Sequence, residues 1–193
     1  MTISVLLSCV IGIDVAAFLI YNRDLFKGRS KPYRGTWGVW LLIAFLNSAS
    51  YFGTSGDFMK SFLSFENVSA CAVTFTFACI HGGRRPLDRE EKYSVVIGVC
   101  AGIVWWLFRN AFYANAIMQL NTVVSCIPLW IGLWHDSKSQ RPLPWALWSI
   151  SYALNIGVVM LRWNDQWEDL LYPICYVFFH VGTYVLTLRK HSS

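Results

Sequence analysis

The sequence predicts an all-α integral membrane protein of seven transmembrane helices, set out as three helices, a linker helix and three more. Three observations lead there. The chain is 55% hydrophobic and 17% aromatic with only 14% charged residues, whereas an ordinary soluble domain is nearer a quarter charged. Seven apolar runs divide it, each close to the length that crosses a hydrocarbon core of about 30 Å at 1.5 Å per residue. One pattern also occurs twice, as WGVWLLIAFLN from Trp37 and WALWSISYALN from Trp145, so that Trp37, Trp40 and Asn47 correspond to Trp145, Trp148 and Asn155 at a constant offset of 108.

The first run, Ile3 to Tyr21, lacks the basic start and the small-residue cleavage pattern of a secretory signal, and is read as a helix. The second, Trp37 to Phe52, follows the basic, proline-containing loop SKPYRGT. Steps of three, four and three residues place Trp37, Trp40, Ala44 and Asn47 on one of its faces. The third, Phe62 to Ile80, is followed by His81 and the basic turn of Gly82, Gly83, Arg84 and Arg85, ordinary at a cytoplasmic helix end. The fourth, Tyr93 to Phe108, carries Gly98 and Gly102 at a spacing that permits close helix approach. The fifth, Phe112 to Leu133, contains Pro128. The sixth, Trp145 to Leu161, follows SKSQRPLP and repeats the earlier face with Trp145, Trp148, Tyr152 and Asn155. The seventh, Leu170 to Leu188, holds His180 near its middle. A backbone in hydrocarbon must satisfy its own hydrogen bonds, which makes these runs helices and not isolated strands.

With seven crossings, thirteen of the sixteen Lys and Arg fall on one side, leaving Lys60, Arg109 and Arg162 on the other. Short cytoplasmic loops carry the positive excess, so the amino terminus is placed outside and the carboxyl terminus in the cytoplasm. The duplicated stretch lies on the second and sixth helices. Two three-helix units, 1–81 and 111–193, keep the same orientation only if an odd helix separates them, and the loop and linker helix over 82–110 fill that place. The units would then be related by a pseudo-twofold axis along the membrane normal. The net charge of +5 sits in short loops and not on one basic face, which argues against nucleic acid. The partners expected are the lipid bilayer and a small-molecule solute, with a homo-oligomer left open. The six cysteines lie in apolar runs without CxxC spacing and are read as small buried hydrophobes. There is no GxSxG, HExxH or Gly-rich phosphate loop, so neither an enzyme nor a cofactor is expected.

The end of the fifth helix and the loop after it, IPLWIGLWHDSKSQRP, resemble the Pro-containing helix and basic loop of the PQ-loop superfamily, which includes the SWEET sugar transporters and the PnuC-type vitamin transporters. The WxxW pairs resemble the PnuC-type proteins, and KPxRxTWxxW, here Lys31, Pro32, Arg34, Thr36, Trp37 and Trp40, is similar to bacterial seven-helix relatives. The resemblance implies a bacterial inner membrane location and alternating-access transport of a small polar solute such as a sugar, nucleoside or vitamin. It also implies prolines acting as hinges, since a proline within a helix removes a hydrogen bond and permits bending. Two departures stand out. The name-giving Pro-Gln pair is Pro128 and Leu129, and the comparable place near Ala16 has no proline. The alternative class is a non-transporting sensor or scaffold.

Six residues are candidates for a solute site: Asp14, Trp40, Asn47, Trp148, Asn155 and His180. Asp14 is read as the one carboxylate set deep in an apolar run, with no second carboxylate paired to it. Charged against lipid it would cost about 2.5 to 3.5 kcal/mol, so it should face the bundle interior, to bind a cationic group or carry a proton. His180 could join it in a proton relay, since imidazole titrates near neutral pH. Asn47 and Asn155 lie about 15 Å of helix rise inward from the Trp that begins each copy, near the midplane, where their amides would face a central cavity. Trp40 and Trp148 would stack on a ring or gate the site. Trp37 and Trp145 are expected to be interfacial anchors. A polar cavity lined by both Asn residues would favour transport, and a filled axis the alternative.

Overall fold

The computed structural model describes residues 2–28, 34–81, 86–87, 89–108 and 110–189, and every regular element among them is helical. The helices are α1 (Ile3–Phe26), α2 (Arg34–Ser55), α3 (Phe58–His81), α4 (Arg89–Phe108), α5 (Ala111–His135), α6 (Pro142–Leu161) and α7 (Leu171–Thr187). Short 3-10 turns, Ser137–Ser139 and Trp167–Leu170, precede α6 and α7. Lys31, Pro32, the Gly82 to Arg85 turn, Arg109 and Lys190 lie outside the described residues.

Six helical segments are long and apolar enough to cross a membrane, and α2 is the helix that does not qualify. Length is not the reason, since α2 has 22 residues. It is diluted by Asn47, Ser48, Ser50, Tyr51 and Ser55, all of which are buried inside the bundle. These polar side chains lie on the face that α2 turns to other helices, where the demand that lipid makes does not apply, while Phe45 and Phe52 stay exposed on its outer face. The outward surface is correspondingly apolar, with Leu19, Phe45, Ile80, Leu120 and Phe178 exposed.

Local chemistry starts and stops the helices. Asp57 caps α3 by accepting from the backbone N–H of Met59 (2.8 Å) and Lys60 (3.2 Å), and Asn110 caps α5 through Phe112 N–H (2.9 Å). Pro142 begins α6, where its missing N–H costs nothing. The tight link between α2 and α3 needs a left-handed residue, and Gly56 supplies it at φ 60°. Pro128 lies inside α5, which continues past it to His135.

α1 packs on α6 and α3, α2 on α3 and α5, and α7 on α6 and α5, while α4 rests against α5 and α2. Gly98 makes the close approach its spacing predicts, since an added Cβ would stand 3.3 Å from Leu46 of α2 and 3.6 Å from Asn121 of α5. Gly102 does not, having nothing within 4 Å. The cysteines divide likewise. Cys71 and Cys126 are buried, but Cys9, Cys79 and Cys100 are exposed, a correction to their reading as buried, because an apolar run alone does not say which face points outward.

Candidate functional site

The amino-terminal ends of α2 and α6 bring the two WxxW pairs together around an internal cavity. Trp37 and Trp40 meet edge to face at 5.0 Å and 78°, and Trp145 and Trp148 at 5.0 Å and 64°. Tyr21 of α1 lies between the pairs, 5.3 Å from Trp37 and 5.8 Å from Trp148. All four Trp residues line the cavity. Trp37 and Trp145 are 4% and 2% exposed, so the expectation that they anchor the interface is corrected. The exposed indoles are Trp106, Trp134, Trp163 and Trp167, which have the exposure that interfacial anchoring needs.

A stack of rings continues the wall toward the middle of the bundle. His180 stacks on Trp148 (5.4 Å, 30°) and on Tyr152 (5.1 Å, 24°), and Tyr152 stacks on Tyr176 (4.7 Å, 25°). Asn67, Thr122 and Ser125 add polar groups from α3 and α5. The space has a volume of about 50 Å³, above the roughly 10 to 15 Å³ that a single water needs. Three residues of its wall carry buried nitrogens without a partner among the described residues, Trp145 Nε1, Trp148 Nε1 and His180 Nδ1. Buried polar atoms are ordinarily paired, so three orphans on residues of one wall single this region out as the candidate site.

Of the six sequence candidates, Trp40, Trp148 and His180 line this cavity, and Asp14, Asn47 and Asn155 do not, which corrects the expectation of a polar cavity lined by both Asn residues, because both side chains are buried between helices. Asn47 is fully buried in a network of its own. Gln119 Nε2 donates to its Oδ1 (2.7 Å), and its Nδ2 donates to the Tyr176 hydroxyl (3.3 Å). Asn155 is equally buried, yet neither amide atom has a partner among the described residues. No hydrogen bond joins His180 to Asp14, since neither Asp14 oxygen accepts one from any of the described residues. Asp14 instead faces the carboxyl of Glu66 on α3. That corrects the reading of Asp14 as the one intramembrane carboxylate. Glu66 lies within the third apolar run, two turns into α3, and its place in that run was the available signal.

The opposite end of the bundle is closed by charge. Lys60 Nζ donates to Asp169 Oδ2 at 2.5 Å and to Asn164 Oδ1 at 2.7 Å, with both ionic side chains fully buried. The Tyr51 hydroxyl donates to the Asp169 carbonyl at 2.9 Å. Nearer the surface, Arg162 Nε donates to Asp57 Oδ2 at 2.5 Å. Partial burial pushes the Asp57 carboxyl up, but Arg162 and the N–H groups of Lys60 and Met59 outweigh it and hold Asp57 below the usual carboxylate range. The stabilisation from a depressed carboxyl is present above its unfolded pKa and lost as pH falls through the folded one, so this pair is intact at neutral pH. A shallower polar recess near Thr54, Asn110 and Gln166 lies at the same end, and its wall holds no orphaned atom among the described residues.

No protein-family model, curated protein or solved structure matches the chain. The residues themselves therefore carry the functional argument.

The unlike surroundings of the two Asn residues carry a prediction. Asn47→Leu strands Gln119 and Tyr176 in the bundle and should cost about 1 to 3 kcal/mol. Asn155→Leu deletes two unpaired polar atoms and should be neutral or stabilising. Thermal unfolding in detergent micelles measures both, and equal shifts would refute the distinction.

Proposed function

We propose that the protein is a seven-helix transporter that moves a small, neutral, ring-bearing polar solute by alternating access, with the Trp-lined cavity as the solute site. The observation that carries this reading is the set of orphaned nitrogens on Trp145, Trp148 and His180 in the wall of an aromatic cavity. Two indole N–H donors suit a carbonyl or hydroxyl oxygen, and the ring faces suit a flat or cyclic body. The absence of any Asp, Glu, Lys or Arg from the described lining favours a neutral solute.

The helix packing supports a 3+1+3 arrangement. Exchanging α1 with α5, α2 with α6 and α3 with α7 turns α1–α3 into α5–α7, α2–α3 into α6–α7, and α1–α6 into α5–α2, all of them packed pairs. α4 stands outside the exchange. In this reading the Trp ends of α2 and α6 face the cytoplasm, and the Lys60–Asp169 and Arg162–Asp57 pairs, each joining the two units, close the outer side. The cavity is then an occluded site that widens when one end opens.

Uptake of labelled sugars, nucleosides and vitamins into proteoliposomes tests the proposal. Accumulation that Trp148→Ala abolishes is the expected result. The small volume also fits a sensor that binds without transporting, and solute-dependent tryptophan quenching with no uptake across the panel would select that reading.

A further inference from the structure

Asp14 is fully buried, and no N–H or O–H among the described residues donates to either of its oxygens. Its neighbour across the α1–α3 contact is the Glu66 carboxyl, whose Oε2 is also without a donor. The Ser151 hydroxyl reaches Asp14 from α6, but its one proton goes to the Val10 carbonyl at 3.0 Å. Two acceptor-only groups therefore face each other with nothing to donate between them. The other titratable groups facing the pair are Cys71 from α3, Tyr152 from α6 and Tyr172 from α7. None of these is a cation, and neither carboxyl belongs to an ion pair among the described residues.

Adjacent carboxylates in a dry site cannot both be ionised, because each raises the energy of the other's charge and burial raises both. The hydrogen that this geometry lacks must come from outside the protein. Among the described residues no group of three His, Cys, Asp or Glu side chains stands ready to hold a metal ion. A proton needs only the two oxygens.

We propose that Asp14 and Glu66 form an intramembrane proton-binding site beside the cavity. One proton converts two facing acceptors into a single O–H···O⁻ pair of charge −1, and a second makes the pair neutral. Each proton comes from water and returns to it, and no other bond changes. The site adjoins the solute cavity on three elements. Phe18, one turn from Asp14, Asn67, next to Glu66, and Tyr152, which faces Asp14, all line it. A solute that displaces cavity water changes the solvation of the pair, so protonation and occupancy are linked and the linkage is reciprocal. That linkage rests on the transport reading, whereas the proton site does not.

Infrared difference spectroscopy of the purified full chain in lipid nanodiscs, between acid and alkaline buffers, tests the site. The expected result is a protonated carboxylic C=O band at neutral pH that shifts in heavy water and is lost in both Asp14→Asn and Glu66→Gln. Each amide supplies the missing N–H donor and so relieves the remaining carboxylate of its need for a proton. If Asp14→Asn does not fold, Glu66→Gln, at a partly exposed position, decides alone. No band in the native protein, or a band that persists in either variant, overturns the assignment. A band that appears only when sodium is replaced by choline also overturns it, in favour of a sodium ion. A band that behaves as expected in a protein that transports none of the panel leaves the proton site standing and removes only the transport reading.

Discussion

Lys60→Ala should destabilise the protein by about 3 to 5 kcal/mol, because it leaves Asp169 buried without its counter-charge. Lys60 and Asp169 are 1% and 0% exposed as side chains, so water cannot replace the lost partner. The double variant Lys60→Met with Asp169→Leu should recover most of that loss, since an apolar pair of similar volume needs no desolvation of ions. Thermal unfolding in detergent of the wild type, Lys60→Met, Asp169→Leu and the double variant gives the coupling directly, with Lys60→Ala measured beside them. A single-variant loss below about 1 kcal/mol, the range of exposed pairs, would mean that water reaches this end. In that case the pair does not close this end of the bundle.

Trp148→Ala should abolish solute binding and cost about 3 to 5 kcal/mol of stability, the usual range for truncating a large buried aromatic. The ring packs on Phe18 (4.9 Å), Tyr21, Trp145 and His180, so the loss of fold and the loss of site arrive together. Trp148→Phe separates them. It keeps a ring in the wall and removes the indole N–H, which has no partner among the described residues, together with part of the ring's volume. The stability loss should be smaller than that of Trp148→Ala, since less volume is removed, while solute affinity falls about tenfold, near the 1.4 kcal/mol that a factor of ten represents and within reach of one hydrogen bond. Quenching of the remaining tryptophans by the sugars, nucleosides and vitamins of the uptake panel measures this. Unchanged affinity in Trp148→Phe would remove the indole N–H from the recognition model.

Much of the helical framework was legible in the chain because it depends on local quantities. A run such as Leu170 to Leu188 declares its length and polarity without reference to any neighbour, and α7 follows it closely. The Trp face was legible for the same reason, since three- and four-residue steps hold Trp145 and Trp148 together on any helix. The helix ends were less so. α2 and α3 both extend beyond their apolar runs, because capping at Asp57 and the Gly56 turn continue a helix through residues that hydropathy ignores.

The sequence by itself determined an apolar helical chain, the paired WxxW helices and the presence of acids within the spans. The tertiary structure decided what each of those residues meets. Asn47 and Asn155 are equivalent by spacing, yet α5 offers Gln119 to the first, while the second finds no partner. Lys60 reads as a loop-side cation until Asp169, 109 positions away, is folded against it. Asp14 reads as solitary until α3 turns Glu66 toward α1. Hydrophobicity and helical periodicity are properties of a segment and survive any packing. Partnership depends on which helices become neighbours and how each is rotated about its own axis, and both are set only when the whole bundle closes.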